Sequence, residues 1–132
     1  MTRYFEQFYN ADPMVEIDAE TARQRGYYVE ELDAPRRYRN FVSGQLESVK
    51  YPGWTDPREP LAHLRARNEG VRGEIYSPVE RGSGTTRWRT WYVDRPGNIE
   101  KILEPEFDEQ GRFLRQDYRG PDGTAPLLDL HV

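Results

Sequence analysis

The sequence has 132 residues, 13% of them aromatic and 32% charged, with a formal net charge of -4 and no cysteine, which predicts one folded domain over residues 1–132. Because cysteine is absent, disulfides and thiolate metal sites are excluded, and we predict neither another metal site nor a cofactor. The acidic balance argues against a nucleic-acid partner. The lack of a leader-like apolar segment, or of any apolar run near 20 residues, predicts a bacterial cytoplasmic protein without a membrane partner.

The first part of the chain favours two short strands followed by a short helix. Residues 4–9 are aromatic and prone to form a strand, residues 10–13 have the composition of a turn, and residues 14–17 favour a second strand. Asp18 is a good helix N-cap, and Gly26 stands where a left-handed residue ends a helix. This spacing predicts a helix of barely two turns.

The next segment predicts a three-stranded meander and a second helix. Strands are expected over residues 27–32, 37–42 and 45–51, with a turn between the last two. Asp56 then stands as a helix cap and is followed by a proline at the first helical position. This second helix is expected to end at Gly70.

The second half of the chain is rich in strand signals. A strand is expected over residues 71–76, followed by a flexible loop over residues 78–84. Residues 85–93 carry the strongest strand signal, because β-branched and aromatic residues dominate there. The remaining strands are expected over residues 99–103, 112–118 and, if the tail docks rather than packs loosely, 127–130.

The composition around Asp108 and Gly111 predicts a hairpin turn. Asp108 can accept hydrogen bonds from backbone amides, and Gly111 can adopt the positive φ that closes a short loop. Residues 107–113, with residues 92–99 upstream, resemble the tyrosine-aspartate hairpin repeats of Rhs-type bacterial shell proteins, in which an aromatic residue precedes Asp, two spacers, Gly-Arg and an aliphatic residue. The resemblance covers residues 92–118 and implies hairpins over that range.

The order of these elements predicts an α+β fold. Each predicted helix is followed by a run of strands that neighbouring turns would pair in sequence. We therefore expect a strongly curved antiparallel β-sheet, with half-barrel-like meanders wrapped around one or both of two short helices.

Arginine and aromatic residues alternate on two predicted strands. Arg87, Arg89 and Trp91 share one face of the strongest strand, and Arg37 and Arg39 repeat the pattern on an earlier strand. These residues favour binding of a protein partner, because arginine and tryptophan are common anchors in interfaces. The alternative is an ordinary sheet surface on which each arginine pairs with a glutamate of the next strand.

A second candidate site consists of Glu74, Tyr76 and Arg72, which alternate along one predicted strand and so share a face. If the chain is an enzyme, this trio would bind a carboxylate and transfer a proton. The same spacing also describes an ordinary solvated strand face, so both interpretations stay open.

These patterns predict a small cytoplasmic binding protein, of the immunity or accessory-factor kind, that recognises a protein partner through a curved sheet face. The alternative is a small-ligand enzyme or sensor with acid-base residues in a pocket on the concave face of the sheet. A small-molecule partner and the formation of a homo-oligomer are both compatible with this sequence.

Overall fold

The computed structural model describes residues 2–123, which contain one sheet and two helices. The tail strand considered over residues 127–130 lies outside the described residues. The helices are α1 (Ala19–Arg25) and α2 (Arg58–Arg67), and neither of these described helices is long and apolar enough to cross a membrane. The strands are β1 (Arg3–Phe5), β2 (Glu16–Ile17), β3 (Tyr28–Leu32), β4 (Arg37–Val42), β5 (Gln45–Pro52), β6 (Arg72–Tyr76), β7 (Glu80–Gly82), β8 (Thr85–Arg87), β9 (Thr90–Val93), β10 (Ile99–Asp108) and β11 (Phe113–Arg119).

The strands form one mixed sheet in the order β2-β1-β3-β4-β5-β6-β9-β10-β8-β7, and β11 pairs with β10. The predicted α+β class is confirmed. The strand pairs of residues 2–123 are antiparallel except for β5 and β6, which lie parallel with Lys50 opposite Glu74. α2 connects these two strands, and a helical crossover is the usual connection between parallel neighbours. The prediction of an entirely antiparallel sheet is therefore wrong at this pair.

The sheet is neither closed nor strongly curled, so the predicted half-barrel is wrong. Strands β2 and β7 stand at opposite ends of the strand order and do not pair with each other in the described part of the chain. The two helices lie apart, α1 against β1 and α2 against β6. No single helix therefore forms an axis around which all the strands could wrap.

Local capping signals account for the ends of the helices. Asp18 accepts a hydrogen bond at 2.7 Å from an amide in the first turn of α1, and Gly26 ends that helix with a φ of 73°. α2 begins one residue later than expected, because Pro57 occupies the N-cap position and not the first helical position, and Asp56 before it accepts a hydrogen bond at 2.9 Å from the amide of Arg58. That helix ends at Asn68, whose φ of 48° is left-handed, so the end expected at Gly70 is two residues too late.

The strongest predicted strand is divided into β8 and β9 by Trp88 and Arg89, which belong to neither. β10 pairs with β9 as far as Leu103 and with β8 from Glu106 onward. Pro105 lies between these positions, where one edge of β10 passes from one partner strand to the next. A proline, which lacks an N–H, is tolerated within a strand at such an interruption.

Two hairpin turns shape this end of the sheet. The carboxylate of Asp108 accepts hydrogen bonds from the amides two and four residues later, at 2.9 and 2.8 Å, and Gly111 has a φ of 80°. The hairpin predicted between β10 and β11 is therefore confirmed. The flexible loop expected over residues 78–84 is wrong in part, because it contains β7, which pairs with β8.

Separate hydrophobic clusters cover the two faces of the sheet. The face that packs against α2, called the α2 face, carries a cluster of Val49, Tyr51, Ile75, Trp91, Val93 and Ile102 with Leu61 and Leu64 of the helix. The opposite face, called the N-terminal face, carries Phe5, Val29 and Tyr38, against which Phe8 and Met14 pack. The segment between β1 and β2 therefore covers part of the face that α2 leaves free.

Candidate functional site

The central strands bring a lysine, a glutamate and a tyrosine together on the N-terminal face. Lys50 of β5 lies directly opposite Glu74 of β6, and their side chains, 13% and 18% exposed, form an ion pair. The hydroxyl of Tyr76 donates a hydrogen bond at 2.7 Å to the other carboxylate oxygen of Glu74. Both oxygens of Glu74 are therefore engaged, and we call this group the Lys50–Glu74–Tyr76 network.

Phe8 covers the network from the N-terminal segment. Its ring centroid lies 4.9 Å from that of Tyr76, and the ammonium of Lys50 lies 5.7 Å from the same Phe8 centroid. Burial, reinforced by the negative charge of Glu74, raises the pKa of Tyr76 and, in the same way, that of Tyr92. Both phenols therefore keep their protons at neutral pH and are hydrogen-bond donors rather than bases.

Arg72 does not join Glu74 and Tyr76, although all three share a strand. It lies exposed at the start of β6, with its guanidinium 3.6 Å from the carboxylate of Glu47. The cation beside Glu74 is Lys50 and not the arginine, because the parallel pairing of β5 with β6 places Lys50 opposite Glu74. That pairing depends on the crossover through α2, so no local sequence signal indicated it. The structure thus brings together two members of the predicted trio and leaves the third apart.

Arg87, Arg89 and Trp91 line a cavity of about 380 Å³ on the α2 face, which we call the charged cavity. Arg87 donates a hydrogen bond to the carboxylate of Glu80 at 3.0 Å. Arg89 donates one to Glu104 at 3.2 Å, and its guanidinium lies 5.7 Å from the ring centroid of Trp91. Since Trp91 is only 5% exposed, most of its ring belongs to the core.

Acidic residues of β10 hold arginines of β11 around the same cavity. Glu104 accepts a hydrogen bond from Arg119 at 2.8 Å in addition to that from Arg89, and Glu106 lies 3.5 Å from Arg115. Burial acts to raise the pKa of Glu104, but the hydrogen bonds and charges of its two arginines outweigh burial and lower that pKa below its usual range. The arginines around this cavity are thus paired with acids of neighbouring strands.

Arg37 and Arg39 lie away from the charged cavity. Arg37 is 7% exposed and donates hydrogen bonds at 3.2 and 3.1 Å to two backbone carbonyls of the β3–β4 connection. Arg39 lies over Phe41, 5.4 Å from the ring centroid, and contacts two glutamates at 3.4 and 3.5 Å. Neither arginine lines the charged cavity with Arg87 and Arg89, and the burial of Arg37 removes it from the candidate partner-binding residues.

A second cavity, of about 390 Å³, lies on the N-terminal face, and we call it the aromatic cavity. Trp88, Thr90 and Tyr92 line it, whereas Arg87, Arg89 and Trp91 line the charged cavity. The ring of Trp88 stacks on Phe107 with centroids 5.4 Å apart and stands in the wall of both cavities. Six aromatic side chains line the aromatic cavity: Phe8, Tyr9, Tyr76, Trp88, Tyr92 and Phe107.

The aromatic cavity has no counterpart among the sites predicted from the sequence. Residues 4–9 were expected to form one strand, but β1 ends at Phe5, and Phe8 and Tyr9 belong to the segment that crosses the sheet. The side-chain amide of Asn10 holds this segment through a hydrogen bond at 3.3 Å to a backbone carbonyl that follows β6. The turn composition after Tyr9 was the only local signal that the chain leaves the sheet here.

Comparisons of the chain with protein-family models, curated proteins and solved structures find no significant match. Within residues 2–123, no group of three or more histidine, cysteine, aspartate or glutamate side chains is placed to hold a metal ion.

Proposed function

We propose that this chain is a binding protein that recognises a protein partner through β11 and the charged cavity beside it. The observation that supports this proposal most is the exposure of β11, whose residues 113–117 are all exposed. Phe113 and Leu114 are 61% and 50% exposed. Aromatic side chains exposed near arginines are typical anchors of protein interfaces.

The outer edge of β11 supports the same proposal. β11 pairs with β10 along one edge, and no second strand pairs with it within residues 2–123. An unpaired edge presents backbone N–H and C=O groups to which a strand of another protein can bond. A partner would therefore be held by backbone hydrogen bonds as well as by side chains.

Arginines of the charged cavity supply the polar part of this surface. The side chains of Arg87 and Arg115 are 59% and 64% exposed although each contacts an acid, at 3.0 and 3.5 Å. Exposed ion pairs of this kind contribute little to folding stability. Both arginines can consequently exchange their acids for groups of a partner at a small cost.

The proposal keeps the cytoplasmic immunity or accessory-factor role expected from the sequence. Small size and a net charge of -4 are the features that support it. The link between small acidic α+β proteins and this role is an analogy at the level of a protein class.

The geometry favours protein binding over acid-base catalysis at Glu74. The predicted anion-binding residue, Arg72, pairs with Glu47 instead, and both oxygens of Glu74 are engaged by Lys50 and Tyr76. A general base needs an oxygen within reach of a substrate proton. We therefore place the proposed activity on the exposed surface and not on this network.

Affinity capture with the whole chain as bait, in cells that encode it, tests the proposal. The double variant Arg87→Ala/Arg89→Ala is expected to keep its fold and to lose partner affinity, by about 2 kcal/mol or more for each interface anchor. The matched control is Arg23→Ala/Arg58→Ala, which removes two exposed arginines of the helices. A partner that all three baits retain equally would contradict the assignment of the surface.

A second comparison isolates the apolar contribution of β11. Phe113→Ser should weaken capture of the same partner, whereas Tyr27→Ser, at an aromatic residue that is 57% exposed elsewhere, should not. Equal loss of partner capture in both variants would indicate a general effect on solubility and would contradict the proposed role of β11.

A further inference from the structure

The aromatic cavity is built into the fold and is not used by the proposed function. Asn10 donates a hydrogen bond to the carbonyl of Ser77 at 3.3 Å, and the guanidinium of Arg81 donates one to the carbonyl of Ala11 at 2.7 Å. These bonds fix the N-terminal segment to the strand region that follows β6. Because these two hydrogen bonds hold the N-terminal segment that forms one wall, the cavity keeps its shape without a ligand.

The charge distribution of this cavity points to the chemistry of its ligand. Among the described residues that line it, Asp12 is the only charged one, and the others are aromatic, aliphatic or uncharged polar. Faces of aromatic rings carry negative electrostatic potential and attract cations, above all alkylated ammonium groups. The geometry points to a binding site for a small organic cation, an alkylammonium compound whose charge Asp12 balances.

Two rings of the wall already hold ammonium groups of the protein. The ammonium of Lys50 lies 5.7 Å from the ring centroid of Phe8, and that of Lys101 lies 5.1 Å from the ring centroid of Tyr92. Neither lysine is among the residues that line the cavity, and Glu74 balances the charge of Lys50. These contacts show that both rings present a face to a cation, and neither ammonium group belongs to a residue that lines the cavity.

Other ligand classes fit the cavity less well. An anion would meet the carboxylate of Asp12 and no lining cation. A neutral apolar compound of the same shape would gain contact area but no electrostatic attraction from the rings. The site therefore separates a cation from its uncharged isostere, which gives the inference a direct test.

Isothermal titration of the whole chain with choline and with its uncharged carbon isostere, 3,3-dimethylbutan-1-ol, tests this inference. Choline is expected to bind saturably and about tenfold more tightly than the isostere, the ratio that a cation–π site provides. Equal affinity for the two compounds, or no saturable binding of choline, would overturn the inference.

Two single variants assign the binding to this cavity. Asp12→Asn and Tyr9→Leu should each weaken choline binding about fivefold, with circular dichroism confirming an unchanged fold. Their controls, Asp33→Asn and Tyr27→Leu, replace exposed residues outside the cavity and should bind choline as the wild type does. Unchanged affinity in both cavity variants would place the binding elsewhere and overturn the site.

A peptide that contains trimethyllysine separates the two sources of an alkylated ammonium group. We expect it to bind more weakly than choline, since the proposed ligand is a free small molecule. Tighter binding of the peptide than of choline would contradict a free small molecule as the ligand. It would indicate that the cavity binds a modified side chain of a protein.

Discussion

Glu74 binds two partners that approach from different directions, the ammonium of Lys50 across the parallel ladder and the hydroxyl of Tyr76 on its own strand. The ion pair is mostly removed from water, with side-chain exposures of 13% and 18%. Removing one member of such a pair leaves the other charge poorly solvated, which costs more than the pair contributes to stability. The network is therefore sensitive to single substitutions.

Glu74→Gln should destabilise the protein by about 1 to 3 kcal/mol, the usual cost of a buried group left without its charged partner. The free energy of unfolding, measured by urea denaturation, gives the value. Glu47→Gln is the control, because it breaks the exposed pair with Arg72 at 3.6 Å and should change stability by less than about 0.5 kcal/mol. Equal effects of the two substitutions would contradict the burial of the network.

Among the elements, β8, β9 and the two residues between them present different side chains to the two faces of the sheet. Arg87, Arg89 and Trp91 line the charged cavity, Tyr92 lines the aromatic cavity, and Trp88 stands in the wall of both. The two tryptophans differ in burial, since Trp91 is 5% exposed and belongs to the core cluster under α2. Trp88 is half-buried between the cavities.

Trp91→Ala should therefore cost about 3 to 5 kcal/mol of stability, the range for a large aromatic side chain removed from a core. Trp88→Ala should cost clearly less, because part of its surface already contacts water and its stacking on Phe107 is the main contact that is lost. Thermal and urea denaturation of both variants measure the difference. A larger loss in the Trp88 variant would show that the assignment of faces is wrong.

The stability of the protein should depend on pH through Glu104 of the β10–β11 hairpin. Its pKa is lower in the folded protein than the usual value of about 4.3 in an unfolded chain, so the folded state binds fewer protons. The stabilisation by Arg89 and Arg119 is therefore complete above about pH 5. It is lost as the pH falls below about 4, through the folded-state pKa.

Glu104→Gln should accordingly lower the melting temperature at pH 7, and its difference from the wild type should shrink as the pH falls below about 4. Glu59→Gln, at an exposed position of α2, should show a small difference at every pH. A Glu104 effect that stays constant down to about pH 3 would contradict the role of its charge.

Elements with local signals could be predicted from the sequence, and long-range contacts could not. Asp18 and Gly26 end α1 as expected, since a cap bonds to amides or carbonyls within its own turn. The alternation of Thr90, Trp91 and Tyr92 within β9 also follows from strand geometry. By contrast, the pairing of Lys50 with Glu74 depends on the crossover through α2, and the burial of Arg37 depends on the turn that folds around it.

At the scale of the whole molecule, the crossover from β5 through α2 to β6 determines which residues meet on each face of the sheet. It makes β5 and β6 parallel, which brings Lys50 beside Glu74 on one face. It also packs Leu61 and Leu64 onto the other face, against the cluster that includes Trp91. The crossover through α2 therefore has two effects. It makes the sheet mixed, and it gives the two faces different side chains.

The contact between α2 and β6 depends on the small size of Gly73. This glycine is buried and has an ordinary strand φ, so its side chain is missing for reasons of space and not of backbone conformation. A Cβ at this position would collide with the Cδ2 methyl of Leu64 and would lie 3.5 Å from the Cβ of Val93. The helix approaches the sheet as closely as a glycine allows.

Gly73→Ala should therefore destabilise the protein by about 1 to 3 kcal/mol, the cost of adding a methyl group to a well-packed core, because the buried side chain of Leu64 has to shift. Gly82→Ala is the matched control, since no atom lies within 4 Å of its added Cβ and its φ is also ordinary. That control should be neutral or slightly stabilising, because alanine restricts the unfolded chain. Urea denaturation measures both variants, and a Gly73→Ala protein as stable as the control would show that α2 does not rest on the sheet at this residue.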